Sequence, residues 1–326
     1  MFCGIGGFHQ AAKNVLRGAE CAGACDKDAA ARAVYELNHG VKPRGDIRKI
    51  DLRGVAPHDL LFAGFPCPPF SSAQRNKGRA DWEHEDARLY EHILDWARAC
   101  KPAAIVLENV AALQKHDIWK LIKRRLAATG YAVSDAVLSA HDFGAPQTRF
   151  RVFLVARLDG PAFDFAPLEA RESRTRLRDV LPPPTDEQAK WMARNEWRFY
   201  ESTSLRKNQS GRRLAAVRSF YTAEHAASAD RSQKRIPAAH SIYDVDGVAP
   251  TVVASAGVRV HVVYPEAQRA RALTNRELAT GLMGFPSDFV LSAKPAEARR
   301  HIGNSVCVKV VEELLLEMRR QGVLPQ

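Results

Sequence analysis

Four side chains carry the chemical argument: Cys67, Glu108, Arg149 and Arg151. Cys67 stands in Gly64-Phe65-Pro66-Cys67-Pro68-Pro69-Phe70-Ser71-Ser72, directly after the apolar run Leu60-Leu61-Phe62-Ala63. That run is short enough for a buried strand, and Gly and Pro then turn the chain out of it. A cysteine at the carboxyl end of a strand lies where open α/β sheets hold ligands. Prolines on both sides stiffen the loop, so a thiolate there could be held for attack on an electrophilic carbon. Free cysteines are more often buried and inert, and the loop alone leaves the two uses evenly matched. Glu108 closes a second apolar run, Ala103 to Leu107, ahead of Asn109-Val110. A carboxylate closing a buried strand is costly unless it is paired or used as an acid. In Gln147-Thr148-Arg149-Phe150-Arg151, running into Val152 to Val155, residues 147, 149 and 151 would share one face of a strand. Such a face suits a carboxylate or a base edge, although a solvated edge strand is the plainer reading of that segment alone.

The elements that must position these groups follow in order. Phe2-Cys3-Gly4-Ile5-Gly6-Gly7-Phe8 is a glycine-rich turn feeding a helix from His9 to Arg17. Glycines there let the backbone approach a ligand, with the helix N-terminus behind it. Such a turn is normally fed by a buried apolar strand, and only Met1 precedes this one. If the chain truly begins at Met1, the expectation is a truncated first strand, with unpaired neighbours, low stability and weak ligand binding. Glu20 to Cys25 reads as a strand ending at Asp26-Lys27-Asp28, where a carboxylate can hold a ribose or cap the helix Ala29 to Asn38. Gly45-Asp46-Ile47-Arg48 pairs a carboxylate with an apolar side chain, a combination fit for an adenine or for an ordinary surface turn. Gln74 to Glu85 is polar and reads as a mobile closing segment, before a helix over Asp86 to Ala99 with Leu89, Ile93 and Trp96 on one face. A helix over Ile118 to Thr129, a strand over Tyr131 to Leu138, a short strand at Pro250 to Val253, a capped helix start at Thr274 and a helix over Val308 to Arg319 complete the pattern.

The bulk figures bound the answer. A chain of 326 residues with 46% hydrophobic and 26% charged side chains has the composition of an ordinary globular protein. No apolar run approaches the ~18 residues of a membrane span, so a membrane partner is not expected. Six cysteines without a C-x-x-C pair suggest neither a disulfide framework nor a metal site, which favours a reducing cytoplasm. The net charge of +11 points to a polyanionic partner. From Lys190 to His240 eleven Lys/Arg stand against four Asp/Glu, so this segment supplies +7, with six aromatics interleaved. Cations neutralise phosphates and aromatics offer stacking or wedge surfaces, although a solvated basic face is the bland alternative.

Taken together, the motifs resemble the cytosine-5 DNA methyltransferase family. Its glycine motif matches Phe2 to Gly7, its Pro-Cys motif Pro66-Cys67, and its Glu-Asn-Val motif Glu108 to Val110. Its Gln-x-Arg-x-Arg matches Gln147, Arg149 and Arg151, its Arg-Glu…Gly-Phe-Pro matches Arg276-Glu277 and Gly284 to Pro286, and its Gly-Asn-Ser-Val matches Gly303 to Val306. Each motif alone is weak, whereas six in family order are specific. The match covers about residues 2–156 and 248–318. The resemblance implies an α/β, Rossmann-like methyltransferase sheet with a smaller target recognition domain inserted. The corresponding division is 1–157 for catalysis and cofactor, 158–247 for target recognition, and 248–326 returning to the catalytic domain.

The resemblance also implies roles. Cys67 adds to carbon 6 of cytosine, and the resulting enamine accepts a methyl group at carbon 5. Glu108, protonated in a buried site, holds ring nitrogen 3; Arg151 binds the carbonyl and orients Glu108, with Arg149 close behind. The methyl donor is S-adenosylmethionine, surrounded by Phe2, Gly4, Ile5 and Gly7. Asp26 takes the ribose, Asp46 and Ile47 the adenine; Gly64, Pro66 and Leu89 line the pocket, and Asn304, Ser305 and Val306 close it. The target cytosine must leave a DNA duplex to reach Cys67. Two departures are Pro68, where Gln is frequent, and Lys27, where a bulky apolar side chain is frequent. The implied setting is a monomeric cytoplasmic, nucleoid-associated bacterial enzyme of DNA modification, alongside a restriction endonuclease. A tRNA methyltransferase of the same fold and a catalytically silent DNA-binding relative are the competing readings.

Overall fold

A computed structural model describes residues 1–66, 88–183, 197–200, 219–222, 242–255, 259–264 and 269–324. The chain forms two compact units, one of Met1–Leu138, Phe150–Arg171 and Ser305–Gln326, the other of Ser139–Arg149 and Glu172–Asn304.

The first unit is built on strands β1 (Leu60–Ala63), β2 (Ala104–Val110), β3 (Tyr131–Ser139) and β5 (Phe150–Leu158); β4 (Gln147–Thr148), which precedes β5 in the chain, belongs to the second unit. Its sheet runs β1-β2-β5-β3. β1 and β2 are parallel, with Ala63 opposite Leu107, and β2 and β5 are antiparallel, with Val110 opposite Arg151. A parallel pair needs a crossover. Helix α3 (Tyr90–Cys100) supplies it, burying Ile93, Leu94, Trp96 and Ala97. The apolar start of β2 is fully buried, as a strand covered on both faces requires. Ahead of this sheet lie α1 (Gly7–Val15) and α2 (Ala29–His39), and after β2 comes α4 (Asp117–Ala127), which buries Trp119, Ile122 and Leu126. The amino group of Met1 donates to the Phe62 carbonyl at 2.7 Å, so the first residues lie beside β1.

Three local expectations are corrected. Residues 20–25 form no strand; only Cys25 bridges to Arg44, because Ala22-Gly23-Ala24 has too little side chain to bury. Gln147 to Arg151 is not one continuous strand. The Arg149 N–H donates back to the Gln147 carbonyl at 2.9 Å, and this tight turn sends β4 and β5 to different partners. Of Pro250 to Val253, only Pro250 is extended, in the pair Ala249–Pro250, β9. The capping signal at Thr274 is present in full: its hydroxyl accepts the Glu277 N–H, and Glu277 accepts the Thr274 N–H.

The second unit carries a five-stranded sheet containing β6 (Trp197–Tyr200), β7 (Ser219–Thr222), β8 (Ile242–Asp244), β10 (His261–Tyr264) and β11 (Arg269–Ala272), in the order β11-β10-β8-β7-β6. β4 and β9 pair separately, in parallel. Two stretches of the basic aromatic segment thus pair as the β6–β7 ladder, Phe199 opposite Phe220. The remainder of that segment lies outside the described residues. A buried ion pair between Arg271 and Glu277, 2.6 Å apart, ties β11 to the helix turn that follows it.

Candidate active site

The carboxyl ends of β1 and β2 lie side by side, and this register brings Gly64 next to Glu108. A methyl group built on Gly64 would sit 3.7 Å from Glu108 Oε2 and 3.7 Å from Phe8, an ordinary contact distance. Arg151 enters from β5 and places its Nε 3.1 Å from Glu108 Oε1. The two side chains are only 18% and 10% exposed, so the pair is held in a largely dry setting. Sequence separation is 43 positions, and only the antiparallel β2–β5 ladder makes the residues diagonal neighbours.

Asn109 turns the other way. Its Nδ2 donates to the Phe65 carbonyl at 3.1 Å while its Oδ1 accepts the Val110 N–H at 2.9 Å. The backbone just before Pro66 is thereby pinned to β2 by a side chain only 4% exposed. Phe65 adds a stacked contact with Trp119, ring centres 6.5 Å apart. Cys67 itself lies outside the described residues, as does the 74–85 segment expected to close over the site. Another cysteine of the glycine turn is a poor rival as nucleophile: burial pushes the Cys3 thiol up to about 12.

The glycine turn is shaped by its own residues and by Asp26. Gly4 and Gly6 have φ of 51° and 95°, the left-handed region that glycine enters without cost. Asp26 Oδ2 accepts the Gly4 N–H at 2.8 Å and Oδ1 accepts the Asp28 N–H at 2.8 Å. Asp28 in turn caps α2, whereas Asp26 holds the glycine turn. Space is open above Gly4, with nothing within 4 Å of where a Cβ would lie. Gly7 is the opposite case: its missing Cβ would fall 2.5 Å from Ser305 Oγ and 2.8 Å from Val306 Cγ2. Phe2, Gly4, Ile5, Gly7, Asp26, Gly64, Pro66, Ser305 and Val306 therefore all belong to the first unit, as do Asp46, Ile47 and Leu89.

Not all of them present themselves as expected. Ile47 and Leu89 are members of the apolar core, 6% and 3% exposed. The Asp46 carboxylate is chelated by Arg48, whose Nε lies 3.0 Å from both oxygens, and these hydrogen bonds hold its pKa down to about 2. Arg149 and Asn304 fall in the second unit. Arg149, 2% exposed, donates to the carbonyls of Val252 at 2.9 Å and Gly303 at 3.1 Å, while Gln147 donates to the Leu282 carbonyl. The first two members of the 147/149/151 triplet thus tie together the backbone of the second unit, and Arg151 pairs with Glu108. Asn109 and Arg48 gain their importance only in the fold, Asn109 from its hold on the Phe65 carbonyl and Arg48 from its grip on Asp46.

These features meet a family model described as C-5 cytosine-specific DNA methylase, which matches residues 1–320. The chain belongs to this family. It is a DNA (cytosine-5-)-methyltransferase by descent, and its similarity to curated relatives runs the length of the chain. It is 31% identical over 323 residues to "Type II methyltransferase M.NlaX" of Neisseria lactamica, covering 98% of this chain and 95% of the relative. It is 32% identical over 319 residues to "Type II methyltransferase M.NgoBI" of Neisseria gonorrhoeae, covering 96% and 89%. Among solved structures, the Dnmt2 methyltransferase of S. pombe superposes with a TM-score of 0.68 at 21% identity, covering 98% of this chain and 97% of that one. The mixed sheet flanked by helices is accordingly the α/β, Rossmann-like methyltransferase fold. Among the described residues of this methylase, no helix is long and apolar enough to cross a membrane.

Proposed function

We propose that this methylase modifies carbon 5 of a cytosine flipped out of duplex DNA, using S-adenosylmethionine and a transient bond to Cys67. The observation that carries the reading is the Glu108–Arg151 pair, 3.1 Å apart beside the backbone that leads into Cys67. Carbon 5 of cytosine is a weak nucleophile, so the ring must first be activated. Addition of the Cys67 thiolate to carbon 6 pushes electrons toward carbon 5 and ring nitrogen 3. Glu108 hydrogen-bonds nitrogen 3 where that charge develops, and Arg151 fixes the carboxyl and donates to the ring carbonyl. Loss of the proton at carbon 5 then allows Cys67 to leave. Asn109 keeps the Phe65 carbonyl, and hence the loop, in register with Glu108. Arg149 acts at one remove, by holding the backbone of its own unit.

The residues present fit the methyl donor. The open face at Gly4, beside the fixed Asp26, is a cradle that a side chain at Gly4 would fill, and the packing of Gly7 on Ser305 and Val306 holds its far side. A carboxylate has about four acceptor positions. Asp26 spends two on backbone N–H groups and keeps others for ribose hydroxyls. When bound, S-adenosylmethionine supplies the electrophilic methyl group. Phe2 and Ile5 contribute to the same cradle, while Gly64 and Pro66 leave room between it and Glu108; Asp46 serves the adenine end through its Arg48 chelate.

Duplex DNA is favoured over tRNA by the family's description and by the relatives' naming as type II methyltransferases. Arg259, exposed on the second unit, adds a positive charge suited to a phosphate. The setting is DNA modification, with a cognate endonuclease as partner and a monomer as the working unit. The test is covalent trapping on duplex DNA carrying 5-fluorocytosine, in the presence of the methyl donor. A stable adduct is expected that Cys67→Ala abolishes. Adduct formation on tRNA but not on duplex would overturn the substrate assignment, and a trapped Cys67→Ala protein would overturn the nucleophile.

A further inference from the structure

Against the underside of the glycine turn lies a group of ring side chains that the reaction does not use. His39, the last residue of α2, is wedged so closely under Gly6 that a Cβ there would collide with its Nε2 and Cδ2. The same Cβ would meet Tyr35 Cδ2 at 3.0 Å. His39 stacks on His9 of α1, ring centres 4.2 Å apart and planes 17° from parallel, and lies 4.7 Å from the Tyr35 ring. A hydrogen bond of 2.7 Å joins His9 Nδ1 and the Tyr35 hydroxyl, and Cys21 Sγ lies 3.6 Å from that hydroxyl. Tyr35 is 2% exposed, so its position is fixed by packing. The arrangement joins both helices that flank the turn: His9 comes from the helix it opens, Tyr35 and His39 from the helix after Asp26.

We propose that His39, His9 and Tyr35 form an aromatic bracket that sets the shape of the Gly4–Gly7 turn, making His39 and Tyr35 positioning residues for the methyl donor. The inference rests on the reading that this turn binds the donor. A glycine pair in left-handed conformation has many alternatives open to it; the Asp26 carboxylate accepts the Gly4 N–H, whereas the Gly6 end is held only by backbone bonds, its N–H donating to the Cys3 carbonyl at 2.9 Å and its carbonyl accepting the Gln10 N–H at 2.8 Å. A flat ring filling the space beneath Gly6 removes alternatives at the other end. Burial, with His9 and Lys13 adding to it, holds His39 down to about 4, so the bracket is neutral stacked rings at neutral pH.

Calorimetric binding of S-adenosylhomocysteine, well below the melting temperature, tests this without relying on turnover. His39→Ala should weaken binding by about 10-fold or more, because the turn loses its support. His39→Phe keeps a flat ring and should bind as the unchanged protein does, to within about 1.5-fold. Tyr35→Phe deletes one hydroxyl and should weaken binding by about 3-fold. Leu126→Ala on α4 is the control for plain destabilisation, and should bind as the unchanged protein does while melting lower. In turnover, KM for the methyl donor should rise with kcat held. The bracket is overturned if His39→Ala binds normally, or if Leu126→Ala loses as much affinity. Should His39→Ala fail to fold, normal binding by Tyr35→Phe overturns it instead. Failure of the unchanged protein to bind S-adenosylhomocysteine would remove the donor-site reading itself, and the inference with it.

Discussion

Gly7→Ala is the most direct probe of the donor cradle. The added Cβ would lie 2.5 Å from Ser305 Oγ, 2.8 Å from Val306 Cγ2 and 3.2 Å from the Val306 carbonyl. Ordinary contact begins near 3.4 Å, so the nearest atom must retreat by 3.4 − 2.5 = 0.9 Å. Neither neighbour can simply rotate away: Ser305 and Val306 are 8% and 5% exposed, and the Ser305 hydroxyl donates to the Val306 carbonyl at 3.2 Å. Overpacking of this kind costs about 1–3 kcal/mol. In a chain of this size each kcal/mol lowers the melting temperature by about 2–4 °C, so a fall of about 2–12 °C is expected. Gly4→Ala should cost less, about 1–2 kcal/mol, from its left-handed φ alone, since nothing crowds it. Gly6→Ala combines the backbone strain with the collision at His39 and should cost most. Differential scanning calorimetry on the three variants gives the ranking. Gly4→Ala melting below Gly7→Ala, or Gly7→Ala melting with the unchanged protein, would refute the packing argument.

Three further outcomes are expected. Asn109→Ala removes the hold on the Phe65 carbonyl; at about 1–3 kcal/mol for the lost bond and its stranded acceptor, it should slow covalent trapping by about 5- to 100-fold while Cys67 remains intact, measured by the rate of adduct formation. His39 has a folded pKa of about 4 against 6.5 in its ordinary state. The unfolded chain therefore takes up the proton first, and stability should fall as pH drops from about 6.5 toward 4; urea midpoints at pH 7 and pH 5 should differ less in His39→Phe. Arg259→Gln, at an exposed position of the second unit, should reduce the slope of log affinity against log salt for duplex DNA by about 1, measured by fluorescence anisotropy, with trapping chemistry retained.

The sequence alone located β1, α2, α3, α4 and the last long helix to within a few residues, because each has a clear apolar period and marked ends. It also identified the family, since six short motifs in order are a stronger signal than any one of them. Several features were decided only by tertiary contacts. The 147/149/151 alternation promised one face of one strand, but the turn at Arg149 divides the three residues, so that Gln147 and Arg149 serve backbone carbonyls and Arg151 serves Glu108. Period-two reasoning has no means of seeing a chain reversal that depends on which strand lies alongside. Residues 20–25 looked extended yet pair only at Cys25, because a strand of small residues depends on what its neighbour offers. The support given by Asn109 to Phe65 and by His39 to Gly6 spans 44 and 33 positions, and no local pattern announces either. Residue types fix which chemistry is available, whereas the β1–β2–β5 register brings the acid and its arginine together beside the loop.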